Sequence, residues 1–350
     1  MGEATGSRYC PAPESGHDAA SSRPAGGTMS DTKAGVIGTG EMGRTHTRAW
    51  RALGVDVLVY SRSAERGQAF AAEHGATAVA DLDTLLAEAS VVDICTPTDT
   101  HAELTLRAAA AGRHVICEKP LARTPAEGRQ MIEECRSAGV GLFAAQVLRY
   151  FPAYVAARDA ISSGRVGKLE KLTFSRINAS PGSDTWFADV ERSGGVLVDL
   201  GIHDLDFARW IAGDVTSVAG TYEEGPHDGL PARHTATLTH AGGVQSTVTA
   251  VWDVAGTPLR STFEIVGSEG VLRFDSSPTP VLTDGSGAVL FEDDLSVDPY
   301  AEQLREFLAA IEGTVEPRVT AEDGLTALLI ALAGVESARR GEPVDPATLA

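Results

Sequence analysis

The feature that most constrains the fold of this chain is a regular alternation of short apolar runs with helical segments, which begins at Lys33. Strands that are apolar along their whole length are typical of a sheet covered on both faces. Connections long enough to hold a helix favour parallel pairing. The alternation therefore predicts an α/β domain with a doubly wound parallel sheet, whose strands are Ala34–Gly38, Val55–Tyr60, Val91–Cys95, Val115–Glu118 and Val140–Ala145.

The second half of the chain has a different pattern, with longer strands and short turns that carry Gly, such as Ala241-Gly242-Gly243. Such turns are typical of antiparallel hairpins. We expect strands at Leu169–Asn178, Ser217–Glu223, Arg233–His240, Gln245–Trp252, Ser261–Val266 and Val271–Asp275. We expect helices near Tyr154–Ser162, at Tyr300–Ile311 and at Ala321–Arg340, the last with Thr320 as N-cap and Asp323 at N3. The pattern of strands, turns and helices in this half predicts a large, mostly antiparallel sheet packed on helices.

The length of 350 residues predicts two domains, because one hydrophobic core rarely serves a chain of this size. We place the domains at residues 29–150 and 151–350. Of the first 28 residues, 17 are Ala, Gly, Ser or Pro, and such a segment buries too little apolar surface to order itself. We expect residues 1–28 to be a disordered extension.

Charge and composition exclude several classes of protein. The net charge is −19 and no run of Lys or Arg offsets it, so neither nucleic acid nor an anionic membrane is an expected partner. No apolar run is long enough for a membrane span, and no secretory signal precedes the first strand. The four cysteines lack CxxC spacing, which predicts reduced thiols in a cytoplasmic protein, without disulfides or a zinc site; they are Cys10, Cys95, Cys117 and Cys135.

The first candidate site is a glycine-rich turn between the first predicted strand and the helix after it. Gly38 permits the tight turn, Gly40 lets a pyrophosphate approach the main chain, and Gly43 allows close packing of the helix. Free N–H groups at the start of the helix face the anion. We therefore expect a dinucleotide to bind the whole turn, Gly38-Thr39-Gly40-Glu41-Met42-Gly43.

The end of the second strand bears on which dinucleotide binds. An acidic residue there would select NAD by accepting from the ribose 2′-OH, but the chain has Ser61 and Arg62. Asp56 stands at the wrong end of the strand. Ser61 and Arg62 suit a 2′-phosphate, so NADP is favoured over NAD. The alternative is that Arg62 is a solvated residue at the start of the next helix.

Two further segments follow predicted parallel strands, at the edge where ligands collect in open α/β sheets. These are Thr96-Pro97-Thr98 and Glu118-Lys119-Pro120. Lys119 comes directly after an apolar strand and points into the expected crevice, where its ammonium can donate to a substrate hydroxyl or carbonyl oxygen. A solvated surface lysine is the alternative.

The segment Ser193–Trp210 sets a polar stripe on an apolar helix. Asp199, His203 and Asp206 are spaced i, i+4, i+7 and share one face of an α-helix. His203 titrates near neutral pH and suits proton transfer in alcohol oxidation or ketone reduction, with Asp199 to orient its imidazole or bind a hydroxyl. Asp206 is ambiguous and suits a structural role. No third ligand accompanies Asp199 and His203, so we predict no metal.

Taken together and in this order, the three motifs resemble those of the glucose–fructose oxidoreductase/inositol dehydrogenase (Gfo/Idh/MocA-like) family. They are the turn Gly38–Gly43, then Glu118-Lys119-Pro120, then Gly194-Gly195 followed by Asp199 and His203. The resemblance extends from about Lys33 to the end of the chain. It implies a Rossmann domain for NAD(P) at residues 29–150, and a substrate-binding domain at 151–350 whose open sheet often makes dimer or tetramer contacts.

The resemblance also implies NAD(P)-linked oxidation or reduction of a sugar, an inositol or a related polyol. In that role Lys119 contacts the substrate oxygen, His203 is the acid–base and Asp199 is its partner. Arg149 and Trp186 correspond to residues that line the substrate site in relatives. The Ser61-Arg62 pair departs from the acidic residue that many relatives carry.

Two alternatives share these features. Members of the same fold retain their cofactor and use transient oxidation to cleave glycosides or to eliminate a group. Others are non-catalytic NAD(P)-binding regulators, a reading that the presence of both Lys119 and His203 disfavours.

Overall fold

The computed structural model describes residues 32–224, 232–293 and 296–350, and it contains two β-sheets. The predicted extension at residues 1–28 lies outside the described residues. The last strand of the first sheet ends at Ala145 and the first strand of the second begins at Leu169, so the predicted boundary at 150 falls between the two sheets.

The first sheet is parallel throughout and has six strands in the order β3-β2-β1-β4-β5-β6. Its strands are β1 Lys33–Ile37, β2 Asp56–Tyr60, β3 Thr77–Ala78, β4 Val91–Ile94, β5 His114–Glu118 and β6 Leu142–Ala145. The helices between them are α1 Glu41–Ala52, α2 Ala64–His74, α3 Leu82–Glu88, α4 His101–Ala110 and α5 Pro125–Ser137. The strand order reverses between β1 and β4, which places a ligand crevice at the carboxyl ends of these strands.

The five predicted strands of this sheet are all present, because each is apolar enough to be buried on both faces. β4 is buried at every position, and the core positions of β1 are fully enclosed. β3 was not predicted from the sequence. It is two residues long, too short to give a periodic signal.

The second sheet has eight strands in the order β14-β13-β12-β11-β7-β10-β9-β8. Neighbouring strands are antiparallel except for β7 and β10, which run parallel. The strands are β7 Leu169–Ala179, β8 Val215–Glu223, β9 Ala232–His240, β10 Gln245–Asp253, β11 Arg260–Gly267, β12 Gly270–Asp275, β13 Val281–Asp284 and β14 Val289–Glu292. The mostly antiparallel sheet is confirmed, and the two short edge strands β13 and β14 are additions to the prediction.

Helices cover one face of this sheet and join it to the first. They are α6 Pro152–Ser162, α7 Val190–Ser193, α8 Ile202–Ala212, α9 Pro299–Ile311 and α10 Ala321–Arg340. α10 packs on β8 and α8 and also on α5 and β6 of the first sheet, while α9 packs on α1. Thr320 and Asp323 form the predicted capping box at the start of α10. The end of the chain therefore fixes the two sheets to each other.

The segment that carries the polar stripe is not one continuous α-helix. Gly194 and Gly195 have φ of +84° and +80°, a left-handed conformation that favours glycine and ends α7. The chain then forms a π turn at Leu197–Gly201 before α8 begins. A π turn is wider than an α turn, so the predicted i, i+4, i+7 alignment is wrong for this segment.

Candidate active site

The glycine-rich turn forms a cradle that fits a dinucleotide. A Cβ on Gly38 would lie 2.5 Å from Cys95 O, and one on Gly43 would lie 2.2 Å from Gly38 O, so both positions need glycine. A Cβ on Gly40 would meet nothing within 4 Å, which leaves open space in front of the turn. No side chain caps the first turn of α1, so its main-chain N–H groups are available to a pyrophosphate.

The turn after β4 lies beside this cradle and is tied to the turn after β5. Thr96 and Thr100 share a hydrogen bond between their hydroxyls at 2.7 Å. The buried ring of His101 lies between the two turns, with Nε2 2.9 Å from Thr96 O and Nδ1 2.9 Å from Pro120 O. No motif in the sequence identifies His101, because its partners are main-chain carbonyl groups. This ring sets the distance between the two turns.

Ser61 and Arg62 follow β2 at the same edge of the sheet. Ser61 is half-buried and Arg62 is exposed. In the described part of the chain Arg62 makes no ion pair, whereas Asp56 pairs with Arg51 at the opposite end of the strand. The guanidinium of Arg62 is thus free to meet a phosphate.

Lys119 and Asp199 form the centre of the candidate site. Lys119 Nζ donates to the main-chain oxygen of Asp199 at 2.7 Å and to its carboxylate Oδ1 at 3.1 Å. The two side chains are only 16% and 12% exposed. The ammonium is therefore held in one place by two oxygens of a single residue, at the end of β5.

The π turn accounts for this arrangement. In it, main-chain hydrogen bonds span five residues instead of four, which changes the direction of the carbonyl groups. Asp199 lies within the turn and presents its carbonyl and its carboxylate to the same ammonium. Such turns are frequent at functional sites.

His203 is the second residue of α8, close enough to Lys119 for their charges to interact. Burial lowers the pKa of His203 well below its usual value, and the positive charges of Lys119 and Arg176 lower it further. Its Nδ1 is enclosed and has no hydrogen-bond partner among the described residues. Asp199 does not bond to it within that same part of the chain, so the expected pairing of Asp199 with the imidazole is replaced by the pairing with Lys119.

Asp206 and Arg149 belong to a separate buried network. Arg149 Nε and Nη2 donate to the two oxygens of Asp206 at 2.9 and 2.6 Å, and Nη1 donates to Asp323 Oδ2 and to the carbonyl of Arg318. This network occupies the guanidinium of Arg149, and its role in lining the substrate site stays a prediction. Asp206 has the structural role that the sequence favoured.

Trp186 lies in a short 3-10 turn, Trp186–Ala188, where its ring stacks on Phe187 with 4.0 Å between centroids. Its side chain is half-buried. Its contact with a substrate stays a prediction.

Several charged side chains at the site were not identified from the sequence. Arg176 of β7 binds both oxygens of Asp204 at 2.9 Å and fixes α8 next to His203. His46 of α1 lies between the carboxylates of Asp93 and Glu118. Both Arg176 and His46 are ionisable residues on the buried face of a strand or helix, and this position could have marked them as candidates in the sequence.

The described helices include none that combines the length and the apolar character needed to cross a bilayer.

A dinucleotide-binding sheet with a lysine and a histidine at its ligand-binding edge defines a nicotinamide-dependent oxidoreductase. Comparison with known proteins agrees. The model of an oxidoreductase family with an NAD-binding Rossmann fold matches residues 32–146, and the model of the Gfo/Idh/MocA C-terminal domain matches residues 154–273.

Curated relatives match over nearly their whole length. The chain is 36% identical over 334 residues to 1,5-anhydro-D-fructose reductase of Ensifer adhaerens, which covers 89% of this chain and 97% of the relative. It is 30% identical to inositol 2-dehydrogenase of Rhizobium meliloti, over 87% and 96% of the two chains. The chain belongs to the Gfo/Idh/MocA family of oxidoreductases.

A solved structure shows the same fold. Levoglucosan dehydrogenase in complex with NADH and levoglucosan superposes with a TM-score of 0.79 at 24% identity, covering 90% of this chain and 98% of that one. The two-sheet architecture of this chain is therefore shared with that solved structure.

Proposed function

We propose that this oxidoreductase transfers a hydride between NAD(P) and a hydroxyl or keto carbon of a sugar, an inositol or a related polyol. The observation that carries the proposal is the ammonium of Lys119, fixed by Asp199 beside a His203 whose imidazole is neutral. These groups lie at the carboxyl edge of the dinucleotide-binding sheet. The relatives that are named for carbohydrate and inositol substrates support this choice of substrate class.

In this mechanism each side chain has one task. The ammonium of Lys119 donates a hydrogen bond to the reacting oxygen, and Asp199 keeps the ammonium aimed at it. The imidazole of His203 takes the hydroxyl proton during oxidation and returns it during reduction. When bound, the nicotinamide supplies the hydride acceptor or donor. Burial of Lys119 and Asp199 limits access of water to the reacting atoms.

We propose that residues 29–150 hold the cofactor and residues 151–350 bind the substrate and a second copy of the chain. The glycine turn would hold the pyrophosphate, with the segments Thr96–Thr98 and Glu118 beside it. We place the protein in the cytoplasm because the cysteines of the described residues, Cys95, Cys117 and Cys135, are all free and buried.

We further propose that NADP is preferred over NAD, because Ser61 and Arg62 stand where an acidic residue would bind a ribose 2′-OH, and Arg62 has no ion pair among the residues that the structure describes. Replacing Arg62 by Ala should weaken NADPH binding by about tenfold or more, the size of one charge-assisted contact to phosphate, and leave NADH binding nearly unchanged. Fluorescence titration with both cofactors measures this. Equal weakening of both would remove Arg62 from the 2′-phosphate site. Arg66→Ala, on the next turn of α2, is the control.

The depressed pKa of His203 predicts the pH dependence of alcohol oxidation. A neutral imidazole accepts a proton and an imidazolium does not, so kcat/KM should fall as the pH is lowered through the pKa of His203, below the usual value for histidine. His203→Gln should lose most of its activity, and the remaining activity should lack this acidic limb. If kcat/KM of His203→Gln still falls at low pH as in the wild type, a group other than His203 causes the fall. The control is His74→Gln on α2, which should show the wild-type pH dependence.

The direct test of the proposed function is a screen of aldoses, inositols and keto-sugars with each cofactor, followed through the absorbance of the reduced nicotinamide. Oxidation or reduction of a substrate with stoichiometric change in free cofactor supports the proposal. Product formation without that change would indicate a cofactor-retaining lyase or hydrolase instead.

A further inference from the structure

Beneath the candidate site lies a buried cluster that the proposed mechanism does not use. His46, on the first helix after the glycine turn, is completely enclosed. Its Nδ1 lies 3.0 and 2.9 Å from the two oxygens of Asp93, a residue of β4. Its Nε2 lies 3.1 Å from Oε1 of Glu118, the last residue of β5, which is ion-pair distance, although the two atoms do not form a hydrogen bond. The ring thus bridges two carboxylates on neighbouring strands.

The charges of this cluster favour an imidazolium. Burial is the largest influence and by itself lowers the pKa of His46, but the interactions with Asp93 and Cys95 together outweigh it, and the pKa lies well above its usual value. Asp93 also accepts a hydrogen bond from Trp50 Nε1 at 2.7 Å, so it is satisfied from two sides. Glu118 accepts no side-chain hydrogen bond in the described residues, and His46 is the cationic group within ion-pair distance of its Oε1.

The cluster connects directly to Lys119. Oε2 of Glu118 accepts the main-chain N–H of Lys119 at 2.9 Å, and the Lys119 side chain then reaches Asp199. A rotation of the Glu118 carboxylate would release this N–H group. The position of the Lys119 main chain therefore depends on what holds Oε1 of Glu118.

We propose that His46 is a positioning residue for Lys119, acting as a charged bridge that holds the carboxylate of Glu118 against the Lys119 main chain. The proposal rests on the role of Lys119 in the proposed function. According to this proposal, a side chain of α1, the helix after the glycine turn, fixes the position of the Lys119 ammonium. None of the sequence motifs at the site includes this side chain. The groups that face His46 are Asp93 on β4, Cys95 directly after β4, Glu118 on β5, Trp50 on α1 and Tyr300 on α9.

Two substitutions separate positioning from simple structural support. Asn places its amide nitrogen near the position of Nδ1, so His46→Asn keeps a donor for Asp93 and loses the Nε2 contact to Glu118. Gln places its amide nitrogen near Nε2, so His46→Gln keeps a nitrogen beside Glu118 and loses the donor for Asp93. The two variants remove the same charge and differ in which carboxylate they serve.

We expect activity and stability to rank the variants in opposite orders. His46→Asn should lower kcat by about 10–100-fold, the usual effect of losing a residue that orients a site ligand, with KM little changed, and His46→Gln should lose clearly less. Stability in urea should fall more in His46→Gln, because Asp93 is the more deeply buried of the two carboxylates. A structural role alone predicts that activity follows stability.

Hydrogen exchange of the Lys119 amide gives a readout without substrate or cofactor. Exchange in a peptide spanning residues 115–121 should be faster in His46→Asn than in His46→Gln or wild type. Glu118→Gln, which keeps the size of the side chain and removes its charge, should also speed this exchange, and it provides the test where His46→Asn does not fold. His74→Asn, on the surface helix α2, is the control for a histidine substitution.

The outcomes that would overturn the proposal are specific. Equal kcat in the Asn and Gln variants, or unchanged exchange of the Lys119 amide in His46→Asn and Glu118→Gln, would leave His46 a core residue. If the wild-type protein holds a stoichiometric metal ion and both His46 variants lose it, His46, Asp93 and Cys95 would be metal ligands instead. If Lys119→Ala remains active the proposed function fails, whereas the exchange experiment still decides the role of His46.

Discussion

Replacing Lys119 by Ala should reduce turnover at least about 100-fold while cofactor binding stays nearly intact, and His203→Ala should do the same. Lys119 supplies the ammonium that meets the reacting oxygen, held by two contacts to Asp199 at 2.7 and 3.1 Å. His203 supplies a neutral imidazole at the same place. Neither side chain belongs to the glycine turn, so the loss should appear in kcat rather than in the dissociation constant of NAD(P)H.

The measurement is steady-state turnover on the best substrate of the screen, together with titration of the reduced cofactor. Lys168→Ala removes an exposed lysine and is the matched control. Lys119→Arg should recover little activity, because a planar guanidinium cannot reproduce the position of a compact ammonium between two oxygens of Asp199. Wild-type turnover in Lys119→Ala or His203→Ala would remove that residue from the mechanism.

Replacing Arg149 by Met should destabilise the protein by about 3–5 kcal/mol, because it leaves the carboxylate of Asp206 buried without its partner. Arg149 is 2% exposed and serves Asp206 with two hydrogen bonds and Asp323 with a third. Asp206 retains no other side-chain donor in the described residues. Since Arg149 also bonds to Asp323 in the first turn of α10, the variant loosens the attachment of that helix.

Urea unfolding of Arg149→Met and of wild type measures this effect. Burial already raises the pKa of Asp206, and without Arg149 the carboxyl should take up a proton more easily. A carboxyl whose folded-state pKa is raised costs stability above its unfolded pKa, so the deficit of the variant should shrink as the pH is lowered. Arg158→Ala is the control, since Arg158 lies over the same Trp210 ring but is exposed. A loss under 1 kcal/mol would contradict a buried pair.

The first sheet was predictable from the sequence because its strands must be buried on both faces. That requirement leaves a continuous apolar run at each strand, and only the two-residue β3 escaped. The second sheet was also recognisable from its turns, although β13 and β14 at its edge were not. Edge strands are short and half-exposed, so their residues carry little of the alternation that marks a strand.

The site was predictable only in part. The glycine turn is encoded locally, since strand, turn and helix are consecutive in the chain. The stripe at Asp199, His203 and Asp206 was identified, but its interpretation as one helical face was wrong because the π turn intervenes. Arg149 was assigned to the substrate site, and the pairing of its guanidinium with Asp206 was not foreseen. This pair joins residues 57 positions apart in the chain, so no local motif encodes it.

The sequence by itself determined the class of fold, the family and the identity of the candidate groups, because hydrophobic periodicity and glycine conformations act over short stretches of chain. Only the tertiary structure decided which carboxylate serves which cation. Lys119 meets Asp199, Arg149 meets Asp206, and His46 meets Asp93 and Glu118. The physical reason is that a buried charge needs an opposite charge or a hydrogen-bond partner within about 3 Å. The packing of distant elements supplies that partner, and the spacing of residues along the chain does not predict which residue it will be.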